Sequence, residues 1–279
     1  MSPVYYWDMY VGIDIGGTKT LLAVLTNGGK IVESVKFPTP KKYSNFLLEL
    51  AHAVHHLEHQ DFVAGGVAAP GRIDREHGVV YELGNLGWTN FALQHDCEKI
   101  LHCPVVIEND ANLAGLSEAL LHKEADKVLY VTVSTGIGTG VVYKQHLDPG
   151  MRDGEGGHIL LPFKGKLVKW ETFASGRAIY EHFGKKAAEI HDEQDWKYIV
   201  RNLSLGFYEL IAVYQPDLII IGGSIGTYFD RYGKLLQDEL DKHKVPVISI
   251  PPLAQAQRPE EAVVYGCHEL ARQTYGKHS

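Results

Sequence analysis

The sequence predicts an α/β protein of two lobes, each built on a mixed sheet with an antiparallel meander and flanking helices. Two observations predict this class. A pattern of strand, glycine-threonine turn and strand occurs at residues 11–25 and again at residues 128–143. Each occurrence is followed by alternating helical and strand-like segments, the order that places helices against a sheet. Because the plan is used twice, we expect two lobes that face each other across a cleft.

Bulk composition is that of a globular protein and excludes several function classes. Of the 279 residues, 45% are hydrophobic and 22% charged, a mixture that argues against disordered and fibrous proteins. The net charge of −7 leaves no basic excess to displace counterions, so no nucleic-acid partner is expected. No apolar run reaches membrane-spanning length, and residues 1–10 lack the basic and apolar parts of a signal peptide. We therefore expect a cytoplasmic protein with no membrane partner.

Three strands are predicted to open the first lobe. Val11–Ile15 and Thr20–Leu25 are apolar strand-like runs, and Ile31–Phe37 is a third run that Pro38 ends. Residues 27–29 (Asn-Gly-Gly) tolerate the positive φ that a tight hairpin turn needs. The opening is therefore predicted to be an antiparallel meander.

Helices and buried strands complete the first lobe. Ser44–Gln60 carries apolar residues at helical spacing, and we interpret the histidines opposite them as a solvated face rather than a metal site. Phe62–Ala68 and Pro104–Ile107 are predicted strands, with a helix near Phe91–Leu101 between them. Another helix is predicted to begin within Glu108–Ala111.

The second lobe is predicted to repeat this plan. Val128–Val133 and Val141–Tyr143 flank a glycine-threonine loop at residues 134–140. Leu218–Ile221 is a buried strand that ends in glycines, and a last helix covers about Glu260–Tyr275.

The lobes are predicted to span residues 1–115 and 116–279. The final helix is expected to pack back on the first lobe. No stretch rich in Pro, Gly and Ser marks the join.

The segment Gly16-Gly17-Thr18-Lys19 is a candidate phosphate-binding turn. It is not a Walker loop, because its Thr and Lys are in reverse order and a strand follows it, whereas a Walker loop opens a helix. Its backbone N–H groups and the side chains of Thr18 and Lys19 could still hold an anion. Asp14, just before it, could hold Mg²⁺ through water.

Two further segments complete the candidate nucleotide site: the loop at residues 134–140, and Gly222-Gly223-Ser224, which follows a buried strand where ligands of open α/β sheets lie. Each segment alone is equally explained as an ordinary turn. Two strand-flanked loops in the two halves favour a nucleotide bound between the lobes. The residues predicted to bind it are Asp14, Gly16, Gly17, Thr18, Lys19, Ser134, Thr135, Gly136, Gly138, Thr139, Gly222, Gly223 and Ser224.

These glycine segments resemble the nucleotide site of the ASKHA superfamily, which includes acetate and sugar kinases and actin. Glu108–Asn112, Glu155–His158 and Glu171–Gly176 resemble the ROK family (repressor, open reading frame, kinase), and the match runs in order from about residue 10 to 270. The resemblance implies a two-lobed actin-like ATPase (ribonuclease H-like) fold. It also implies a sugar kinase that uses ATP and Mg²⁺ and is compatible with a homodimer.

The resemblance assigns Asp110 as the base that deprotonates the acceptor hydroxyl. A helix start favours the ionised carboxylate, and phosphoryl transfer requires an in-line acceptor oxygen with a base beside it. The alternative for Asp110 is a simple N-cap. By the same resemblance the sugar is bound by Gly71, Arg72, Asn85, Asn109, Asp110, Glu155, His158 and Glu171.

The chain departs from the family pattern in one segment. The family usually carries a cysteine cluster that binds structural zinc with the histidine equivalent to His158, but Ile159–Trp170 contains no cysteine. We therefore expect no structural zinc, and we expect the apolar residues and Trp170 to stabilise the segment by packing. Zinc-free family members include polyphosphate-using glucokinases, so polyphosphate is an alternative donor.

Three functional hypotheses follow. The first is phosphorylation of a hexose hydroxyl, at the 6-position of glucose or a related sugar. The second is a non-catalytic sugar sensor or partner-binding protein of the same fold, and the third is a transferase acting on a carboxylate, which only Arg72 supports. Because only about ten residues precede the first strand, we expect the kinase branch of the family rather than its repressors, which carry a DNA-binding domain ahead of the kinase fold.

Overall fold

A computed structural model describes residues 8–83, 86–258 and 261–276. The chain forms two compact units: residues 1–117 together with 261–279, and residues 118–260. Both units combine mixed sheets with helices, so the predicted α/β class is confirmed. Within the described ranges, no helix is both long enough and apolar enough to cross a bilayer.

The strands of the described residues, in chain order, are β1 (Met9–Ile15), β2 (Lys19–Thr26), β3 (Ile31–Pro38), β4 (Phe62–Ala68), β5 (Arg72–Asp74), β6 (Val79–Leu83), β7 (Trp88–Phe91), β8 (Val105–Glu108), β9 (Lys127–Val133), β10 (Ile137–Tyr143), β11 (His146–Leu147), β12 (Leu160–Phe163), β13 (Lys166–Lys169), β14 (Leu218–Gly222) and β15 (Leu253–Gln255). The helices are α1 (Tyr43–His55), α2 (Leu93–Leu101), α3 (Asp110–Ala119), α4 (Glu171–Ala174), α5 (Gly176–Phe183), α6 (Glu193–Tyr214), α7 (Gly223–Gly226), α8 (Phe229–Asp241) and α9 (Ala262–Tyr275).

The first unit is organised around a five-stranded sheet of order β3-β2-β1-β4-β8. Strands β1, β2 and β3 pair antiparallel, which confirms the predicted meander, and β1, β4 and β8 run parallel. Helix α9 packs on β1 and β4. A Cβ on Gly66 would collide with the backbone of Cys267, so glycine in β4 permits this close approach. Because β1, β4 and β8 are parallel, their carboxyl ends meet at one edge of the sheet.

Helix α1 is shorter than predicted, because it ends at His55 rather than at Gln60. The chain turns away at this point because the carboxylate of Glu33 on β3 accepts hydrogen bonds from the backbone N–H groups of Glu58 and His59. The side chain of Gln60 donates to the carbonyl of His55 at 3.1 Å. Tertiary contacts to the neighbouring strand thus end a helix that the apolar spacing alone would have continued.

The second unit repeats the arrangement with a sheet of order β11-β10-β9-β14-β15. Strands β9 and β10 pair antiparallel, and β9, β14 and β15 run parallel. The predicted loop at residues 134–140 was wrong in length. Strand β10 already begins at Ile137, which pairs with Val133, so the turn is confined to residues 134–136.

The segment between His158 and Glu171 forms the hairpin of β12 and β13. Trp170 is fully buried, and its indole N–H donates to the carbonyl of Asn202 in α6 at 3.1 Å. Phe163 stacks on Phe173 with ring centroids 4.3 Å apart. Trp170 and Leu161 pack as predicted, whereas Leu160 and Leu167 of the same segment are exposed.

Candidate active site

The turn between β1 and β2 is closed by its own backbone. The N–H of Gly16 donates to the carbonyl of Lys19 at 3.0 Å, and the hydroxyl of Thr39 donates to the carbonyl of Gly16 at 2.8 Å. A Cβ on Gly16 would lie 2.8 Å from the carbonyl oxygen of Lys19, so the turn requires glycine there. Gly17, Thr18 and Lys19 are exposed. An anion could therefore reach this predicted phosphate turn from solvent.

Two acidic residues lie at the carboxyl edge of the first unit's sheet. Asp14 is at the end of β1, and Asp110 follows β8. Burial raises the pKa of Asp14 to about 7; the carboxylate of Asp110 adds to the rise, and Lys36 opposes it. Burial also raises the pKa of Asp110, against the lowering effect of a hydrogen bond from the N–H of Ala111. Keeping two carboxyl groups buried near each other costs stability, which is typical of functional sites.

Asn109 caps helix α3. Its Oδ1 accepts from the N–H of Ala111 at 2.8 Å and from that of Asn112 at 3.4 Å. Asp110 Oδ1 also accepts from the N–H of Ala111, at 2.9 Å. Because Asn109 already fills the N-cap position, simple capping does not account for an acid at position 110.

A buried ion pair supports this helix start, and sequence reasoning missed it. Glu108 is 1% exposed and is held by two hydrogen bonds from Arg75, Nε to Oε2 at 2.8 Å and Nη2 to Oε1 at 2.6 Å. Glu108 Oε1 also accepts from the N–H of Asn109 at 2.7 Å and from the side chain of Asn112 at 3.0 Å. Arg75 and Glu108 thereby fix the backbone that carries Asp110. The two residues lie 33 positions apart, and no local signal pairs them.

The loop after β4 brings Gly71 and Arg72 to the same edge of the sheet. Gly71 has φ +103°, a conformation that favours glycine, and a Cβ there would collide with the carbonyl of Glu82. Arg72 is exposed, and its guanidinium lies 5.3 Å from the centroid of the Tyr81 ring. Asn85, also predicted to bind sugar, lies outside the described residues.

In the second unit, the predicted phosphate turn and the third glycine segment lie side by side. Strands β9 and β14 are parallel, so the residues after them share an edge. The hydroxyl of Ser134 donates to that of Ser224 at 3.2 Å. Gly223 has φ +76°, and a Cβ there would lie 2.5 Å from the carbonyl oxygen of Val133. The structure thus joins two segments that are 90 positions apart in the chain.

Gly138 and Thr139 lie within β10 rather than in the turn. The hydroxyl of Thr139 is buried, accepts from the N–H of Gly156 at 3.1 Å and donates to the carbonyl of Gly154 at 3.4 Å. These contacts position the backbone on either side of Glu155. A role of Gly138 and Thr139 in phosphate binding stays a prediction.

The three predicted sugar-binding side chains of the second unit come from two adjoining segments. Glu155 is exposed and precedes the single 3-10 turn Gly156–His158. His158 Nε2 lies 3.2 Å from Glu171 Oε1, and Glu171 Oε2 accepts from the N–H of Ile137 at 3.4 Å. Glu171 therefore contacts both His158 and the end of the predicted phosphate turn. A Cβ on Gly136 would lie 2.6 Å from its carboxylate, which explains glycine at that position.

A cavity of about 450 Å³ opens beside Ser134, Thr135 and Ser224 in the second unit. Aromatic and cationic side chains that the sequence did not single out contribute to its wall: Arg177, Tyr180, Lys186 and Tyr228. Their spacing carries no motif, so only the fold reveals them.

Within the described ranges, no cluster of three or more His, Cys, Asp or Glu side chains is arranged to hold a metal. His52 in α1 and His56, just beyond its end, are exposed, with ring centroids 4.3 Å apart and ring planes tilted by 44°. His59, also beyond the helix, contacts Glu33.

The family profile that matches the chain is described as the ROK family, and it matches residues 10–274. The chain belongs to the ROK family. It is similar to the glucokinase of Halalkalibacterium halodurans, with 28% identity over 86% of this chain and 87% of the relative. It is also similar to the N-acetyl-D-glucosamine kinase of Citrobacter koseri, with 29% identity over 89% and 94%.

Among solved structures, this ROK protein resembles a ROK family glucokinase from Streptomyces griseus in complex with glucose and AMPPNP. The TM-score is 0.80 at 26% identity, and the alignment covers 95% of this chain and 99% of the other. The predicted two-lobed actin-like fold class is confirmed by this likeness. The prediction of a sugar kinase is likewise confirmed by the kinases that the chain resembles.

Proposed function

We propose that this ROK kinase transfers the terminal phosphoryl group of ATP to a hexose hydroxyl, the 6-hydroxyl of glucose or a close relative, with Asp110 as the general base. The observation that carries the proposal is the placement of Asp110. Its half-buried carboxyl group lies at the edge of the sheet, beside Asp14 and next to a helix cap that Asn109 already provides. The glucokinase and N-acetyl-D-glucosamine kinase relatives support a hexose as the acceptor.

The half-buried Asp110 suits proton transfer. Burial raises its pKa above the usual range, which makes the carboxylate a stronger proton acceptor. In the step, Asp110 takes the proton of the sugar hydroxyl as that oxygen bonds to the terminal phosphorus, and the bond from phosphorus to the ADP oxygen breaks. Bound Mg²⁺ would neutralise phosphate charge during this transfer. Asp14, at the end of β1 beside the phosphate turn, is the candidate to hold it through water.

The cavity of the second unit supports a nucleotide donor over polyphosphate. Its wall includes the rings of Tyr180 and Tyr228, and it adjoins the turn at Ser134 and Thr135. A nucleobase gains from burial against aromatic side chains, whereas a polyphosphate chain has no apolar part to bury. ATP is therefore the favoured donor.

The contact between His158 and Glu171 favours a sugar as the phosphoryl acceptor. A histidine ring and a carboxylate 3.2 Å apart offer both donors and acceptors, which sugar hydroxyls use in both senses. The interaction also sets the orientation of His158, which in this chain has no cysteine cluster nearby to set it. We infer that Glu155, His158 and Glu171 contact ring hydroxyls.

The test is a panel of sugars and carboxylic acids assayed with ATP and with polyphosphate, read as ADP or sugar phosphate formation. We expect ADP release with glucose, mannose or an N-acetylated hexosamine. If none of the sugars or acids caused ADP release, the sensor hypothesis would be favoured. If only the carboxylic acids caused it, the carboxylate transferase would be favoured.

The base assignment is tested by Asp110→Asn. We expect turnover to fall by about 10²–10⁴-fold, the usual contribution of a general base, while sugar binding measured by calorimetry is largely kept. Asp61→Asn, a change of an exposed acid in the same unit, is the matched control and should leave turnover unchanged. Near-wild-type turnover of Asp110→Asn would refute the assignment.

A further inference from the structure

Arg231, near the start of α8, joins two parts of the cavity wall in the second unit. Its Nη1 donates to the carbonyls of Ala187 at 3.4 Å, Ala188 at 3.1 Å and Ile190 at 2.9 Å. Ala187 and Ala188 line the cavity. They belong to a single 3-10 turn, Ala187–Glu189, in which the N–H of Ile190 donates to the carbonyl of Ala187 at 3.2 Å. One guanidinium group thus contacts three carbonyls of a segment that has little regular structure of its own.

The same guanidinium contacts a second part of the wall. It lies 4.7 Å from the ring centroid of Tyr228, a cation–π contact, and Tyr228 also lines the cavity. Arg231 itself does not line the cavity within the described residues. The residue thus fixes the position of the Ala187–Glu189 turn relative to the Tyr228 ring from behind the cavity wall.

We propose that Arg231 is a positioning residue for the nucleoside part of the phosphoryl donor. By fixing both the turn and the ring, it keeps the cavity at the width that a bound base and ribose need before binding occurs, which lowers the ordering cost of binding. The inference rests on the proposed function, since that function places a nucleotide in this cavity. Arg231 touches no reacting atom, so the phosphoryl-transfer step itself does not depend on it.

Substitution of Arg231 should weaken nucleotide binding and spare sugar binding. In Arg231→Met we expect KM for ATP and the dissociation constant of ADP to rise roughly tenfold, the size expected when the bound nucleotide must itself order one or two side chains that Arg231 otherwise holds in place. The KM for sugar should stay within about twofold, because no predicted sugar-binding residue contacts Arg231 in the described structure. Arg231→Lys should be intermediate, since an ammonium keeps the charge but lacks the planar fork.

The matched control is Lys234→Met on the same helix. Lys234 is largely exposed and pairs with Asp238 at 3.0 Å. It does not line the cavity in the described part of the chain. Both KM values should match those of the wild type. Calorimetric stoichiometry with ADP distinguishes weaker binding from a smaller folded fraction, because only the latter lowers the number of sites per chain.

Inorganic tripolyphosphate is the decisive probe, because it carries the phosphates without the nucleoside. Its inhibition constant against ATP should be the same for Arg231→Met and wild type. Equal weakening of tripolyphosphate and ADP would overturn the inference, as would unchanged KM for ATP in a variant that folds. The Arg231→Lys variant answers the same question if Arg231→Met does not fold. Absence of ADP binding and ATP turnover in the wild-type protein would instead overturn the proposed function and the inference with it.

Discussion

Arg75→Met should destabilise the protein far more than the loss of a surface charge. The substitution keeps much of the aliphatic stem and removes both hydrogen bonds that Arg75 donates to Glu108. Glu108 is 1% exposed and Arg75 21% exposed, so the variant leaves a carboxylate that water does not reach. Glu108 keeps its bonds from the N–H of Asn109 and the side chain of Asn112, which soften the penalty.

The size of the destabilisation follows from the burial of Glu108, which loses its cationic partner in this variant. Breaking a buried ion pair by removing one partner costs about 3–5 kcal/mol, and the hydrogen bonds that Glu108 keeps from Asn109 and Asn112 place Arg75→Met at the low end, about 3 kcal/mol. At roughly 2–4 °C per kcal/mol for chains of this size, Tm should fall by about 6–12 °C. Glu108→Gln should cost less, because Arg75 is partly exposed and the group left in the buried position is a neutral amide.

A double-mutant cycle measured by denaturant unfolding tests this reasoning. The variant with both Arg75→Met and Glu108→Gln should be more stable than Arg75→Met alone, since no buried charge remains. Lys234→Met, which removes an exposed ion pair, should stay within about 0.5 kcal/mol of wild type. Equal effects of Arg75→Met and Lys234→Met, or strict additivity in the cycle, would refute the buried-charge argument.

Three further outcomes are expected. Burial raises the pKa of Asp14 to about 7, above its value in the unfolded chain. The stability that its protonated carboxyl group contributes is therefore present at about pH 4 and below and is lost as the pH rises towards 7. Asp14→Asn should raise Tm more at pH 8 than at pH 4, and an equal change in Tm at both pH values would contradict the raised pKa. Gly206→Ala should lower Tm, despite the better helix propensity of alanine, because a Cβ would collide with the ring of Trp170; Gly150→Ala, whose Cβ meets its nearest atom at 3.4 Å, is the control. Prolonged treatment with a zinc chelator should leave Tm, measured by thermal denaturation, unchanged, whereas Trp170→Ala should lower it. A large decrease in Tm on chelator treatment would indicate a structural zinc.

Several elements followed from local pattern alone. The meander at the start of the chain, strand β4 and the strand that ends in Gly222 were all predicted close to their observed bounds, because short apolar runs, glycine turns and prolines act over a few residues. The packing role of Trp170 was also predicted, since a large aromatic residue in an apolar segment is seldom solvated. Where local signals agreed with the tertiary contacts, the sequence sufficed.

Other features were decided by contacts between distant residues. Helix α1 ends early because Glu33 of a neighbouring strand takes the backbone N–H groups that would continue it, and β10 begins early because Ile137 pairs with Val133. Neither partner is marked by spacing, and both effects depend on the order of strands in the sheets.

The candidate site divides in the same way. The residue types at Asp14, Asp110 and Glu171 were apparent from motifs, since each stands at the end of a strand or the start of a helix. The hydrogen bonds that hold the site in place were not apparent from motifs. Arg75 donates to Glu108 from 33 residues away, and Arg231 donates to the Ala187–Glu189 turn from more than 40 residues away. By itself the sequence determined which groups can do chemistry, because that depends on residue type and local backbone. Only the tertiary structure decided what holds those groups in place, because a buried charge is satisfied by whichever partner the fold brings to it.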